Sequence, residues 1–194
     1  MLSPQEFVTE WTKIANNLVK FSAPLVENLA LPNESKHFLI EAGLPQLTHY
    51  VTHFGLELNK ANHIATPDDI YPYDDGSTPF KGYRIIGGND FGDFLCIDEH
   101  NNGQLVEVSH ETFDIKFYNS SIPQLAECLL AWHRRLIYLE TCPAVIADEY
   151  ERWLYQKIPL SAKAELEMEI TRIDAKALNG YTVWREWINS IKAD

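Results

Sequence analysis

The sequence predicts an α+β fold in which helices at both ends of the chain flank a central antiparallel sheet. Three observations predict it. The first twenty residues carry apolar side chains at helical spacing. Residues 81–118 break into short β-rich runs separated by glycine turns. From Asn119 onward the apolar residues return to a helical period that lasts nearly to the end of the chain. No internal repeat or low-complexity linker interrupts this order, so residues 1–194 are read as one domain.

The elements follow in sequence. Ser3-Pro4-Gln5-Glu6 is a helix start: Ser3 caps, Pro4 suits the first helical position and Glu6 closes a capping box. Phe7, Trp11, Ile14, Leu18 and Val19 then mark one buried helical face. A second helix is expected from a cap at Asn33 to a stop at Gly43, with Phe38, Leu39 and Ala42 on its apolar side. Residues 45–80 read less clearly; YVTHFGLEL has the character of a strand, and PDDIYPYDDGSTP that of a turn-rich loop.

The strand pattern begins at 81. YRIIG, ended by Gly87-Gly88, is followed by DFLCID and QLVEV, the last preceded by Asn102-Gly103, a two-residue hairpin turn whose positions both tolerate positive φ. Residues 81–118 are thus read as an antiparallel meander, with QLVEV half-buried. Asn119-Ser120-Ser121 caps the next helix, which carries Leu125, Cys128, Leu129, Trp132, Leu136 and Leu139. Pro143 opens a further helix with Tyr150, Trp153 and Leu154, and Ser161 another with Leu166, Ile170 and Ile173. YTVWREWINSIKAD closes the chain as a short amphipathic helix.

Charge narrows the function. The chain has 16 basic and 28 acidic residues and a net charge of -12, which argues against direct nucleic-acid binding, since phosphate contacts need clustered Lys and Arg. No apolar stretch approaches the ~20 residues that span a bilayer. The N-terminus lacks a signal-peptide pattern. Three widely spaced cysteines, Cys96, Cys128 and Cys142, fit buried free thiols in a reducing cytoplasm and not a disulfide framework.

The acidity is concentrated. Between 68 and 99 lie Asp68, Asp69, Asp74, Asp75, Asp90, Asp93, Asp98 and Glu99 against Lys81 and Arg84, a local net charge of -6. Tyr71, Tyr73 and Phe91 are interleaved with these acids. Asp68, Asp69, Tyr71, Tyr73, Asp74, Asp75, Asp90, Phe91 and Asp93 are therefore the candidate partner-binding residues, with the first acids of the run preferred over Asp90 and Asp93.

Motifs for chemistry point elsewhere than catalysis. GGNDFG at 87–92 has the wrong spacing for a dinucleotide loop, an acid where a pyrophosphate would sit, and no following Gly-Lys-Ser/Thr. DEHNNG at 98–103 has His100 at the third position of a calcium loop and Ser109 at the twelfth, where a bidentate Glu is required. The seven histidines form no HExxH pair, and His49 with His53 is a weak metal pair at most. No GxSxG elbow or cysteine nucleophile context is present. The expectation is no catalytic residues, no metal site and no cofactor.

Four separated pieces resemble one family. FLIEAGLP at 38–45 is similar to its helix followed by Gly-Leu-Pro. YRIIGGNDFGDFLCIDEHNNGQLVEV at 83–108 resembles its central strands, FYNSSIPQLAECL at 117–129 its strand-to-helix junction, and RIDAKALNGYTVW at 172–184 its closing segment. The order and spacing are those of the SUKH superfamily, in its fourth subgroup, whose bacterial members are immunity proteins of polymorphic toxin systems. The matching residues have scaffold roles: Gly43 ends a helix, Gly87 and Gly103 sit at turns, and Ser121 caps a helix. Ile122-Pro123 departs from the usual pair at the helix start, which a first turn tolerates, and Gly55–Pro79 has no counterpart.

The resemblance implies a cytoplasmic protein that binds and neutralises a cognate toxin domain, often a nuclease or deaminase. Composition gives an independent reason: a nucleic-acid-degrading toxin needs a basic cleft, which an acidic partner occupies and finds quickly. Two alternatives differ in class. A regulatory or scaffold module would bind several partners modestly; an enzyme would need the acids to order a metal at Asp90, Asp93 and Asp98.

Overall fold

A computed structural model describes residues 1–46, 52–55, 63–141 and 159–191. Ser3 caps α1 (Pro4–Trp11) through the reciprocal Ser3/Glu6 box that the sequence predicts. The helix ends earlier than its apolar spacing implies. The Trp11 indole donates to Asn17 Oδ1 at 2.9 Å, and Asn17 O accepts Gln46 N–H, so Leu18 and Val19 become strand β1 (Leu18–Val19) and pair with β2 (Leu44–Pro45). A cross-chain bond to the Asn17 carbonyl removes it from any continuing helical ladder.

A short helix α2 (Ala23–Val26) precedes α3 (Asn33–Glu41). The expected Asn33 cap is corrected: Pro32 holds the cap position, with no side-chain hydrogen bond, and Asn33 is already helical. Gly43 stops this helix as expected, at φ +73°. Position 43 tolerates no other residue for a second reason. A Cβ there would lie 2.1 Å from Val19 O, inside the β1–β2 pair.

The main sheet runs β3 (Thr52–Phe54), β4 (Tyr83–Asn89), β5 (Phe94–Asp98), β6 (Gln104–Val108), β7 (Ile115–Asn119) in sequence order, every neighbour antiparallel. This is the predicted meander with β3 added at one edge. Two details differ. Gly87 and Gly88 do not end a strand or form a turn; β4 continues through them to Asn89, with a register shift between Ile85 and Gly87. Gly87 faces β3 so closely that a Cβ would meet His53 O at 2.3 Å. The β5–β6 connection is also longer than a two-residue hairpin. Asp98 caps a 3₁₀ turn at Glu99–Asn101, and Asn102 and Gly103 then take the expected positive φ, 56° and 73°.

Alternation along the strands, broken at two register shifts, splits the sheet residues between two cores. Phe54, Ile86, Leu95, Ile97, Leu105 and Tyr118 face the helices. Ile85, Phe94, Cys96, Val106 and Val108 face the other way, beneath Ala65, Phe80 and the flanking Tyr73 and Phe113. QLVEV is therefore covered on both faces, not half-buried. The helical layer comprises α1, α3, α5 (Ile122–Thr141), α6 (Leu160–Ile173) and α7 (Val183–Ser190). Ser121 and Gln124 close the start of α5. Helix α6 starts after Pro159, one residue before the expected Ser161. The predicted helix after Pro143, with Tyr150, Trp153 and Leu154, lies outside the described residues, as do Cys142 and His49.

Two of the distant sequence pieces meet in the helical layer. Asp174, 3% exposed, accepts Ser120 N–H at 2.7 Å, Ser120 Oγ–H at 3.0 Å and the Asn119 side-chain amide at 3.2 Å. Asn119 Oδ1 in turn accepts the Trp184 indole at 2.8 Å. The motifs around 119, 174 and 184 are thus one buried hydrogen-bond network that joins the end of the sheet to α5, α6 and α7.

Candidate partner-binding surface

The segment from His63 to Gly82 covers the second sheet face. It contains a helical turn, α4 (Pro67–Ile70), whose start repeats the chemistry of α1: Thr66 accepts Asp69 N–H and the Asp69 carboxylate accepts Thr66 N–H at 2.7 Å. A Thr-Pro-x-Asp pattern carries the same signal as Ser3-Pro4-Gln5-Glu6, and it makes residues 66–70 legible as a helix start. Apolar contact holds the rest down. Phe80 packs 5.6 Å from the Tyr83 ring and 5.7 Å from that of Phe113, and Tyr73 lies 5.8 Å from Phe113.

This packing sorts the candidate residues. Asp68 Oδ2 accepts Phe80 N–H at 2.9 Å, fastening one end of the loop to the other; burial raises its pKa, and the Asp69 charge adds to this. Asp69 is the α4 cap and lies 2.9 Å from His63 Nε2; the His63 hydrogen bond, then those from Thr66, hold its carboxyl down to about 2. Tyr73 is half-buried as part of the cover. Tyr71 is 44% exposed, its inner face against Phe94 and Phe113. Asp74 and Asp75 are exposed, and Asp75 accepts Ser77 N–H at 2.9 Å.

The β4–β5 turn is organised by Asn89, whose Oδ1 accepts the N–H groups of Phe91 and Asp93, both at 3.0 Å. Asp93 is half-buried and bound to the His110 ring at 2.9 Å. Burial opposes its ionisation, but hydrogen bonds from His110 and Asn89 outweigh it and the pKa falls below the usual carboxylate range. Asp90 and Phe91 project from the tip. Asp90 comes only within 4.0 Å of His53 Nδ1, and Phe91 is 73% exposed.

The remaining acids of the cluster are structural. Asp98, 1% exposed, caps its turn, and Glu99 binds Arg84 and the Ala30 N–H, both at 2.7 Å. Of the eight acids between 68 and 99, Asp74, Asp75 and Asp90 are the exposed ones that neither cap a helix nor hold another element of the scaffold; Asp69, also half exposed, is spent on the α4 cap and His63. Tyr71 reaches the base of the β4–β5 hairpin through Phe94, and Asp93 reaches the β6–β7 connection through His110. Tyr71, Tyr73, Asp90, Phe91 and Asp93 are therefore gathered at one end of the sheet. Asp68 and Asp69 are held beside the cover's own anchor points.

Sequence reasoning missed the other side of that end. Lys116 on β7 binds Glu186 of α7 at 2.8 Å and Glu107 of β6 at 3.5 Å, with Nζ 4.7 Å from the centre of the Tyr181 ring. Burial works against the Lys116 charge, but these acids raise its pKa overall. Burial also raises Glu107, with the Asp93 charge adding to it against Lys116. The signal was period-2: Glu107 and Lys116 fall on the helix-facing side of β6 and β7, in line with Leu105 and Tyr118, where a partly buried ion needs a partner.

Among the described residues no three His, Cys, Asp or Glu side chains converge to hold a metal ion, and no helix is long and apolar enough to cross a membrane. Cys96 and Cys128 are buried free thiols whose pKa burial pushes up, the opposite of what a thiolate nucleophile requires.

The architecture is that of an α+β protein whose helical layer is locked to an antiparallel meander and whose sheet end presents acids and aromatics to water. The chain belongs to the SUKH-4 immunity protein family, whose family model matches residues 5–190. No curated protein and no solved structure matches the chain.

Proposed function

We propose that this immunity protein binds and neutralises one cognate protein toxin in the bacterial cytoplasm, and that the toxin is a basic nuclease or deaminase. The contact surface is the acidic and aromatic end of the sheet, with Asp90, Phe91 and Tyr71 as the touching side chains, together with the exposed Asp74–Asp75 loop that follows Tyr73. Asp68, Asp69, Tyr73 and Asp93 support that surface from below. One observation carries the reading. Asp90 and Phe91 stand in water on a turn whose shape is fixed by other residues, Asn89 above all, so the fold does not itself use their side chains. An exposed aromatic beside an exposed charge, whose one ionic neighbour among the described residues is His53 at 4.0 Å, is the composition of a binding hot spot.

Charge supports the class of partner. A net charge of -12 repels nucleic acid and attracts a protein that binds it, and complementary fields raise association rates by roughly 10–10³-fold at low salt.

The test uses a toxin domain sought among the genes adjacent to this one. Wild-type protein should bind it one-to-one and restore growth of cells expressing it. The Asp74→Asn, Asp75→Asn, Asp90→Asn triple variant should associate about tenfold more slowly at low salt, a difference that fades as salt is raised. An association rate that ignores both the substitutions and the salt would remove the acidic surface from the mechanism.

A further inference from the structure

Next to the hairpin tip, the surface folds into a groove that takes in Phe91 and Asp93 of the candidate residues and extends well beyond them. One part, about 270 Å³, lies between Phe91 and Trp187. The other, about 440 Å³, lies between Ile115 and Tyr181. The two share Asp93, Glu107 and Lys116 as common lining, so they form one groove running from the β4–β5 turn across β6 and β7 to α7. Its rim is unusually apolar for a surface. Phe91 is 73% exposed, Tyr181 74% and Ile115 48%, and large side chains left in water around a concave site mark recognition surfaces.

The charge in the groove selects the occupant. Asp93, Glu107, Asp114 and Glu186 line it against Lys116 alone, a surplus of three negative charges. Lys116 displays the chemistry that the groove accepts, being a cation held between carboxylates and over an aromatic ring. A second copy of the chain is a poor occupant, because each copy carries a net charge of -12. Arginine suits the groove better than lysine. Its planar guanidinium stacks on an aromatic ring while its fork of N–H groups meets carboxylates.

We propose that this groove seats an arginine-bearing loop of the basic partner protein, with the guanidinium among Asp93, Glu107 and Glu186 and its plane against the Phe91–Tyr181 rim. The proposal rests on the immunity reading for the partner's identity, but the groove's preference for an arginine side chain is independent of it. It extends the contact surface from the hairpin tip across β6 and β7 to α7, with Phe91 on the groove's rim.

Two measurements separate the claims. In the first, isotope-labelled protein is titrated with a peptide of alternating Arg and Gly, and with the same peptide carrying citrulline in place of Arg. The Arg peptide should shift the amide resonances of Phe91, Asp93, Lys116, Tyr181 and Trp187 before those of Asp74 and Asp75, and the citrulline peptide should not. Phe91→Ala with Tyr181→Ala, both more than 70% exposed and checked for wild-type thermal unfolding, should weaken the peptide about fivefold. In the second, the same double variant is tested against the neighbouring toxin domain, where loss of two anchors should weaken binding about thirtyfold or more.

Shifts spread evenly over all acids, or centred on Asp74 and Asp75, would overturn the groove. So would resonances that move with protein concentration alone, which would assign the rim to a second copy. If wild type neutralises the toxin and the double variant does so equally well, the groove fails and the immunity reading stands. If the peptide maps to the groove but wild type does not bind the toxin, the groove stands and the immunity reading fails.

Discussion

The Asp174 carboxylate accepts the Asn119 side-chain amide at 3.2 Å, joining the last residue of β7 to the end of α6 across 55 positions of sequence. The contact is buried, and Asn119 spends its other polar atom on the Trp184 indole. Asp174→Ala removes the acceptor of the Asn119 amide and of both Ser120 donors. Leaving buried donors unpaired costs about 1–3 kcal/mol each before relaxation. A net loss of about 3 kcal/mol and a fall in Tm of roughly 10 °C are expected for a chain of this size, measured by thermal unfolding. A fall below about 2 °C would show that the network is replaced by water without cost.

Phe80 anchors the cover of the second sheet face, against Tyr83 and Phe113. Phe80→Ala should lose about 3–5 kcal/mol in urea unfolding, while Phe80→Leu should lose less than half of that. Hydrogen exchange gives the spatial readout. Amides of Phe80, Tyr83 and Ile85 should lose protection in the alanine variant, and those around Asn119 should keep theirs. Equal loss at both places would mean that the two cores open together.

Asp69 titrates at about 2, against an ordinary value of 3.8. Its folded pKa is lower than its unfolded one, so the stability it contributes is present in full above 3.8 and is lost as pH falls from there towards 2. The side chain is about half exposed, and water screening keeps the contribution small. His63→Ala removes the largest cause of the shift. A carboxyl-detected NMR titration should move the Asp69 midpoint upward, towards its ordinary value. A midpoint unchanged by the substitution would assign the depression to the Thr66 cap alone.

Local chemistry made much of this fold legible in the sequence. The Ser3/Glu6 box, the Gly43 stop, the Ser121 cap and the strand pattern after 81 each follow from a few adjacent residues. What sequence position could not give was the partner of each polar group. Asn17 reads as a helix residue until the Trp11 indole and Gln46 claim it. Asp98, Glu99 and Asp68 read as surface charge until their backbone donors are in place. Glu107 and Lys116 drew no notice because their significance lies in facing Asp93 and Glu186 across strands and helices. The acidic segment was visible as a number; which of its members are free was decided by contacts that range from two residues away at Asp98 to 69 at Glu99.

Asn89 has a consequence of its own for how such a protein can change. Because its side chain fastens the turn through the main chain of residues 91 and 93, the identities of residues 90 and 91 are not written into the shape of the turn. If those two positions touch the toxin as proposed, a cell that meets an altered one can re-letter them by single substitutions while the meander, the capped helices and the Asn119–Asp174 lock go on folding as before. The grip is interchangeable, and the handle is not.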